Sequence, residues 1–310
     1  MRLAVFQHQG QARLGAWLAP PVDKRSFLVD LLSARRVLGF GPVLPASIDA
    51  LLAGGEEFRQ AIDKLLEMIH QLPESKLRSL AGSGALLDLA TLTLLPPVAK
   101  PGKIICVGMN YPIPGEGDQP VQKFPVLFLK PSSTLIGAGG NMILPAASRE
   151  IAGEVELAVV IGRKGKHIHP ERALDHVAGY TLAIDAGARD WEARTSQWTS
   201  GKLGDSFTPL GPFLVTADEI TNPSELELSL TVNEVHTLRG YSRQMIFGIP
   251  ELIVYVSQIA TLMPGDMILT GSPKGYNDHP AGPVILHPGD RLLAAATGLG
   301  RLIVNVRQED

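Results

Sequence analysis

The sequence predicts an α+β protein with a small N-terminal α/β part and a larger part rich in strands. Apolar residues recur at helical spacing after Glu56, and Pro73 ends that run. Beyond about residue 97, the chain consists mostly of short apolar runs separated by turns. The 32 glycines and 24 prolines among 310 residues also predict many turns.

A proline-rich linker separates the two predicted parts. Pro96, Pro97 and Pro101 fall within six positions, and prolines so close together continue neither a helix nor a central strand. We therefore predict one domain over residues 1–96 and a second over residues 97–310.

The N-terminal part is predicted to contain two short strands before Val22, followed by two helices. Ser47 is a plausible N-cap of the first helix, and Gly54-Gly55 separates it from the second. The second helix has apolar residues at helical spacing between Phe58 and Ile69.

The second part is predicted to be mainly strands, with one good helix that starts at Pro250, a residue typical of a first helical turn. Pro264-Gly265-Asp266 ends this helix and leads into a strand. Short apolar or alternating runs predict strands over 103–108, 125–129, 153–162, 177–185, 226–232, 267–270 and 291–296.

Composition excludes several classes of protein. The net charge of −3 offers no basic surface for nucleic acid, and the single cysteine, Cys106, excludes an internal disulfide framework. No apolar run approaches the ~18–20 residues of a membrane span. Polar residues such as Gln7 and Arg13 interrupt the N-terminal apolar stretch, which does not resemble a signal peptide. We expect a soluble, cytoplasmic protein with no nucleic-acid or membrane partner.

Glu154 and Glu156 point to a metal site. Residues two apart on a strand face the same side, and the rest of this strand is apolar on both faces. Neighbouring carboxylates on a buried strand need a proton or a cation, although the same pattern is common on solvated strands. Asp185, at the end of another apolar strand, favours the metal interpretation. Oxygen ligands indicate Mg²⁺, Mn²⁺ or Ca²⁺.

Other polar segments are weaker candidates. Lys202 lies in a polar loop, where we expect a solvent-accessible side chain. The loop containing Thr270, Gly271 and Ser272 could bind a carboxylate through backbone N–H groups, or be only a turn. His167 and His169 are expected to be exposed. The sequence has no phosphate-binding P-loop, no dinucleotide fingerprint after a strand and no Gly-x-Ser-x-Gly elbow.

Several motifs occur together in a recognisable order. They are Pro101-Gly102-Lys103 leading to Gly108-Met109-Asn110-Tyr111, Phe128-Leu129-Lys130-Pro131, Gly153-Glu154-Val155-Glu156, Ala188-Arg189-Asp190, Gln197-Trp198-Thr199 with Gly201-Lys202, Pro209-Leu210-Gly211-Pro212, and Pro264-Gly265-Asp266 leading to Thr270-Gly271-Ser272-Pro273. With these motifs the chain resembles the fumarylacetoacetate hydrolase family from about residue 95 to 305.

This resemblance implies a mixed β-roll catalytic domain over residues 97–310 and a homodimer. Members bind Mg²⁺ or Mn²⁺ and act on small 2-oxo or 1,3-diketo acids. The resemblance assigns the metal to Glu154, Glu156 and Asp185, and a catalytic role to Lys202. It places Tyr111, Lys130, Arg189, Gln197, Thr270, Gly271 and Ser272 at the substrate.

The chain departs from the family at the residues that activate water. Hydrolytic members carry a His–Glu pair in a short lid helix, where this chain has Pro114 and Gly117. A replacement base would have to come from Glu116, one residue out of register, or from His279, whose side chain titrates near neutrality. The residue two after Asp185, usually serine in the family, is Gly187.

Three functions remain open from the sequence. The leading one is metal-dependent hydrolysis of a C–C bond in an acylpyruvate or another 1,3-diketo acid. The second is decarboxylation, isomerisation or another lyase reaction on a 2-oxo acid, which needs an enolate but less water activation. The third is a ligand-binding homologue without catalysis. It ranks last because grouped buried carboxylates destabilise a fold that has no use for a cation.

Overall fold

The structure is a computed structural model and describes residues 1–18, 26–112, 122–273 and 284–310. Its strands are β1 (Arg2–His8), β2 (Gln11–Leu18), β3 (Phe27–Asp30), β4 (Leu86–Asp88), β5 (Leu94–Leu95), β6 (Ile104–Gly108), β7 (Val126–Lys130), β8 (Leu135–Ile136), β9 (Asn141–Leu144), β10 (Ile151–Ile161), β11 (Val177–Ala188), β12 (Thr208–Thr216), β13 (Glu227–Val232), β14 (His236–Tyr241), β15 (Met267–Leu269), β16 (Arg291–Ala296) and β17 (Gly300–Gln308). Its helices are α1 (Leu31–Leu38), α2 (Ile48–His70), α3 (Glu74–Gly82), α4 (Arg189–Glu192), α5 (Thr199–Lys202) and α6 (Ile249–Ile259).

A twelve-stranded mixed sheet forms the body of the molecule. Its strand order is β4-β3-β2-β1-β12-β11-β10-β15-β6-β7, with β5 beside β1 and β8 beside β12. Most pairs are antiparallel, whereas β15 runs parallel to β6 and β8 runs parallel to β12. The predicted α+β class is confirmed.

A second sheet of five strands, in the order β14-β13-β16-β17-β9, packs on one face of the first. Alternate residues of the two sheets meet in an apolar core that includes Val155, Leu157, Leu230, Leu292 and Val304. This packing buries the central strands β10 and β11 along most of their length. Within these two strands, only Gly153, Glu154 and Ala178 are partly exposed.

The N-terminal helices cover the other face of the large sheet. Ile62 and Leu65 of α2 belong to the same buried cluster as Ala158 and Val160 of β10. Ser47 caps α2 as predicted, because its side chain accepts a hydrogen bond from the N–H of Ala50 at 3.1 Å. The predicted break between the two helices is present as a kink at Gly55, whose φ is 58°.

Several predicted elements lie close to their observed positions, among them β6, β7, β10, β13, β15, β16 and α6. Other strands were not predicted, most notably β12 and β17. In the described part of the chain, no helix is long and apolar enough to cross a membrane.

Candidate active site

The pairing of β10 with β11 brings three carboxylates together. Glu154 lies directly opposite Asp185 in this antiparallel pair, so their side chains share one face of the sheet. Glu156 follows two residues after Glu154 and returns to the same face. Carboxylate oxygens of the three residues lie within 4.8 Å of one another. This group is called the acidic triad below.

Two buried lysines contact Asp185 from different sides. Lys130, at the end of β7, donates to Oδ1 at 2.5 Å, and Lys202, at the end of α5, donates to Oδ2 at 2.7 Å. Burial alone would raise the pKa of Asp185, but the two ammonium groups hold that pKa below its ordinary value. Asp185 is therefore an anion with positive charge on both sides.

Glu156 is in a less favourable environment. Its side chain accepts a hydrogen bond from the N–H of Gly271 at 2.6 Å, and the residue is only 2% exposed. Burial, followed by the negative charges of Asp185 and Glu154, raises its pKa well above the ordinary value. The protein lysines therefore do not fully compensate the triad.

The donor set of the triad fits a hard divalent cation. Carboxylate oxygens are the ligands preferred by Mg²⁺ and Mn²⁺, and a cation would relieve the repulsion that acts on Glu156. The grouping of three carboxylates from two adjacent strands, with their oxygens within 4.8 Å of one another, is the observation that favours a metal.

A second group of charges lies beside the triad. Arg189 contacts Glu154 at 3.2 Å and donates to Glu192 at 2.8 Å. The other oxygen of Glu192 lies 3.5 Å from the ammonium of Lys202. Glu192 was missed in the sequence, although its spacing from Arg189, three residues along a helix, is typical of an ion pair on one helix face.

These groups line a cavity of about 240 Å³. Trp198 and Phe128 form an apolar wall with an edge-to-face contact whose ring centroids are 5.7 Å apart. The described lining residues are Val107, Gly108, Met109, Phe128, Glu154, Glu156, Asp185, Arg189, Glu192, Trp198, Lys202, Gly271 and Ser272.

The predicted substrate loop is divided between cavity and core. Gly271 and Ser272 line the cavity, whereas the hydroxyl of Thr270 is buried and donates to the carbonyl of Leu157. The side chain of Asn110 fixes this loop by donating to the carbonyl of Thr270 at 2.8 Å. Tyr111 is 3% exposed, and burial raises the pKa of its phenol.

Four other predicted residues occupy unexpected or undescribed positions. Lys202 is 3% exposed, so the expectation of a solvent-accessible side chain was wrong; the surrounding carboxylates raise its pKa despite its burial. Gln197 is exposed and is absent from the described lining of the cavity. Glu116 and His279 lie outside the described residues. His167 and His169 are exposed, as predicted.

The chain belongs to the fumarylacetoacetate hydrolase family. Residues 103–307 match the family model described as fumarylacetoacetate (FAA) hydrolase C-terminal. The human protein named oxaloacetate tautomerase FAHD2A, mitochondrial, is 41% identical over 270 residues, which cover 86% of this chain and 82% of that protein. A Xenopus laevis protein named oxaloacetate tautomerase fahd2, mitochondrial, is 40% identical over 77% of this chain and 76% of its own length.

Solved structures share the whole fold. Maleylpyruvate hydrolase from Sphingobium sp. SYK-6, in complex with manganese (II) ion and pyruvate, has a TM-score of 0.75 and 31% identity, with all of both chains covered. A 5-carboxymethyl-2-hydroxymuconate delta-isomerase from Mycobacterium smegmatis has a TM-score of 0.73 and 27% identity, again over both complete chains. The fold of the fumarylacetoacetate hydrolase type, predicted from the sequence motifs, is confirmed.

These relatives support an enzyme that binds a divalent metal, without selecting one reaction, since tautomerase, hydrolase and isomerase are all represented. Two of the related proteins above are named as mitochondrial, and the predicted cytoplasmic location stays a prediction.

Proposed function

We propose that this protein is a divalent-metal-dependent tautomerase that interconverts the enol and keto forms of oxaloacetate or a similar small 2-oxo acid. The acidic triad, with Lys202 beside it in the same cavity, is the observation that carries this proposal. The tautomerase names of relatives 40–41% identical to the chain favour this reaction over the other reactions of the family.

The size and charge of the cavity suit such a substrate. About 240 Å³ accommodates a compact acid of few atoms, whereas cavities for drug-sized ligands are usually 300–1,000 Å³. The described lining contains four carboxylates but only the cations of Arg189 and Lys202, so a bound divalent cation would offset the excess negative charge before an acid enters. We assign Glu154, Glu156 and Asp185 as the residues that would hold Mg²⁺ or Mn²⁺.

Each remaining group has a role in the proposed reaction. A bound cation would supply positive charge that polarises the 2-oxo group. Lys202 places a second positive charge where negative charge develops on the substrate oxygen. Trp198 and Phe128 exclude water from one side, and Ser272 offers a hydroxyl to a substrate carboxylate. Tautomerisation needs no activated water, which agrees with Pro114 and Gly117 at the family positions of the lid His–Glu pair.

C–C hydrolysis, the leading function from the sequence, is the second candidate. It is favoured by the similarity to maleylpyruvate hydrolase over the full length of both chains. Hydrolysis needs a base for water, and neither Glu116 nor His279 lies within the described residues.

The proposed tautomerase is tested by following loss of the ultraviolet absorbance of enol oxaloacetate, with Mg²⁺ or Mn²⁺ and then with EDTA. We expect the enzyme to accelerate this loss in a metal-dependent manner, with no more CO₂ or pyruvate than the metal ion releases without enzyme. An acylpyruvate that yields pyruvate and a second acid would favour hydrolysis instead. Release of CO₂ from oxaloacetate would favour decarboxylation. A rate equal to the uncatalysed rate would contradict the tautomerase proposal.

The proposal includes the homodimer that the resemblance implies. Leu129 on the edge strand β7 is 57% exposed, Phe124 just before that strand is 58% exposed, and Leu203 just after α5 is 46% exposed. Because α5 contacts β7, these side chains offer apolar surface for a second copy of the chain. Light scattering during size-exclusion chromatography measures the mass; the mass of one chain would contradict the dimer.

A further inference from the structure

Glu192 is a buried carboxylate in the cavity that does not belong to the acidic triad. The residue is 9% exposed and ends the short helix α4. Its Oε2 accepts a hydrogen bond from Arg189 at 2.8 Å, while its Oε1 has no hydrogen-bond partner. One oxygen of this carboxylate is thus anchored, whereas the other is buried in the wall of the cavity with its hydrogen-bonding capacity unsatisfied.

Two glycines make the space for this side chain. A Cβ atom at Gly187 would lie 2.0 Å from Oε1 of Glu192, and a Cβ at Gly201 would lie 2.4 Å from its Cγ. Real Cβ atoms do not approach other atoms this closely, so any larger residue at position 187 would displace the carboxylate.

The composition of the cavity singles out Glu192 as a proton acceptor. Among the described residues that line it there is no histidine, and the carboxylates are those of the triad and Glu192. The triad is assigned to the metal. Glu192 is the remaining carboxylate of the described lining. Its Oε1 accepts no hydrogen bond and forms an ion pair of 3.5 Å with Lys202, the cation assigned to the reacting oxygen.

We propose that Glu192 is the proton carrier of the tautomerisation, an inference that rests on the function proposed above. From the enol, Oε1 takes the proton of the 2-hydroxyl group. The electron pair left on the oxygen then forms the C2=O bond. The π electrons of the C2=C3 bond take the same proton from the carboxyl group of Glu192, which forms the new C–H bond at C3. Glu192 returns to its ionised form, so atoms and charges balance without another reactant.

The first test replaces the carboxylate by an amide of equal size. Glu192→Gln should lower kcat for enol-to-keto conversion by ~10²–10⁴, the usual contribution of a positioned acid–base group, with little change in KM. Glu150→Gln is the matched control, because Glu150 is exposed just before β10 and is not among the described lining residues; it should keep full activity.

Chemical rescue distinguishes a proton carrier from a structural ion pair. Glu192→Ala leaves a space that formate can enter, so added formate should restore part of the lost kcat in this variant. It should restore none in Glu192→Gln, where the amide fills the space. Calorimetry with oxalate and Mg²⁺, which needs no proton transfer, should give a Kd within about threefold of wild type for Glu192→Gln.

Gly187→Ala tests the placement of Glu192 and Lys202 together. The added methyl group would lie 2.0 Å from Oε1 of Glu192 and 3.1 Å from Cδ and Cε of Lys202, so this variant should lose kcat while retaining Mg²⁺-dependent oxalate binding.

Three results would overturn the inference. They are full activity of Glu192→Gln in an active wild-type background, absence of formate rescue in Glu192→Ala, and loss of oxalate binding in Glu192→Gln to the same extent as loss of activity. The last would make Glu192 a structural partner of Arg189 and Lys202. An inactive wild-type protein would instead contradict the proposed function itself.

Discussion

Lys130 donates a hydrogen bond of 2.5 Å to Asp185, and both side chains are buried. The same ammonium group also donates to the carbonyls of Ala186 and Phe207, at 3.0 and 2.8 Å. These three contacts tie the end of β7 to β11 and to the residue that precedes β12. Lys130 was predicted to bind substrate, and it is absent from the described cavity lining. We now expect its main effect to be on the stability of the site.

Replacing Lys130 by methionine should destabilise the protein strongly. Removal of one partner from a buried ion pair leaves an uncompensated charge and typically costs ~3–5 kcal/mol. Chemical denaturation of the metal-free protein measures this loss. Lys166→Met is the control, because Lys166 is exposed and its ammonium group donates to the carbonyl of Gln258; it should change stability by less than ~0.5 kcal/mol. Equal stability of the two variants would show that Asp185 does not need Lys130.

Lys202→Met should impair catalysis and folding stability together. Loss of one positively charged donor at the reacting oxygen typically lowers kcat by ~10²–10³. Because Lys202 is buried beside Asp185 and Glu192, its removal also leaves negative charge uncompensated. Steady-state kinetics and thermal unfolding of the same preparation test both effects. Turnover close to that of wild type would exclude Lys202 from the reaction.

Divalent cations should stabilise the wild-type protein. A ligand at 100 times its Kd adds about 2.7 kcal/mol to the free energy of unfolding. Mg²⁺ or Mn²⁺ should therefore raise Tm, and EDTA should reverse the increase. In Glu156→Gln the increase should vanish, while Glu150→Gln should retain it. A wild-type Tm that responds neither to cations nor to EDTA, with no heat of binding, would contradict the assigned metal site.

Gly271→Ala should weaken metal binding as well as stability. Gly271 has a φ of 90°, and an added Cβ would lie 2.9 Å from the carbonyl oxygen of Val107, so the backbone must shift. That shift moves the N–H that binds Glu156. Gly289→Ala is the matched control, with a φ of 96° but no atom within 4 Å of the new Cβ.

Calorimetric titration with Mn²⁺ compares the two glycine variants. Both should lose stability from backbone strain, by ~1–3 kcal/mol, but only Gly271→Ala should lose affinity for Mn²⁺. The same affinity in both variants would mean that the N–H of Gly271 does not position Glu156.

The strands with regular apolar patterns could be predicted from the sequence, whereas β12 and β17 could not. Pro209 and Pro212 interrupt β12 and argue against a central strand, yet β12 pairs with β11 and β1. In the 12-residue strand β11, continuous burial extends three residues beyond the predicted end at Asp185. Long-range packing, which no local sequence pattern encodes, determines where these strands form and where they end.

The three carboxylates of the acidic triad were predicted, but the fourth carboxylate of the cavity, Glu192, was not. Alternation along β10 placed Glu154 and Glu156 on one face, and the strand end indicated Asp185. Glu192 offered only a local spacing signal, because its contact with Lys202 forms when α4 and α5 pack together. Gln197, chosen by resemblance, lies on the exposed side of the same segment.

Hydrogen bonds of the large sheet cross the proposed boundary near residue 97. Arg2 and Leu3 of β1 pair with Val215 and Leu214 of β12, the strand adjacent to β11. A fragment starting at residue 97 would expose this part of β12 as an open edge, a surface prone to pairing with other chains and to aggregation. The first strand thus protects the strand next to Asp185 from intermolecular pairing, although it contributes no residue to the described lining of the cavity.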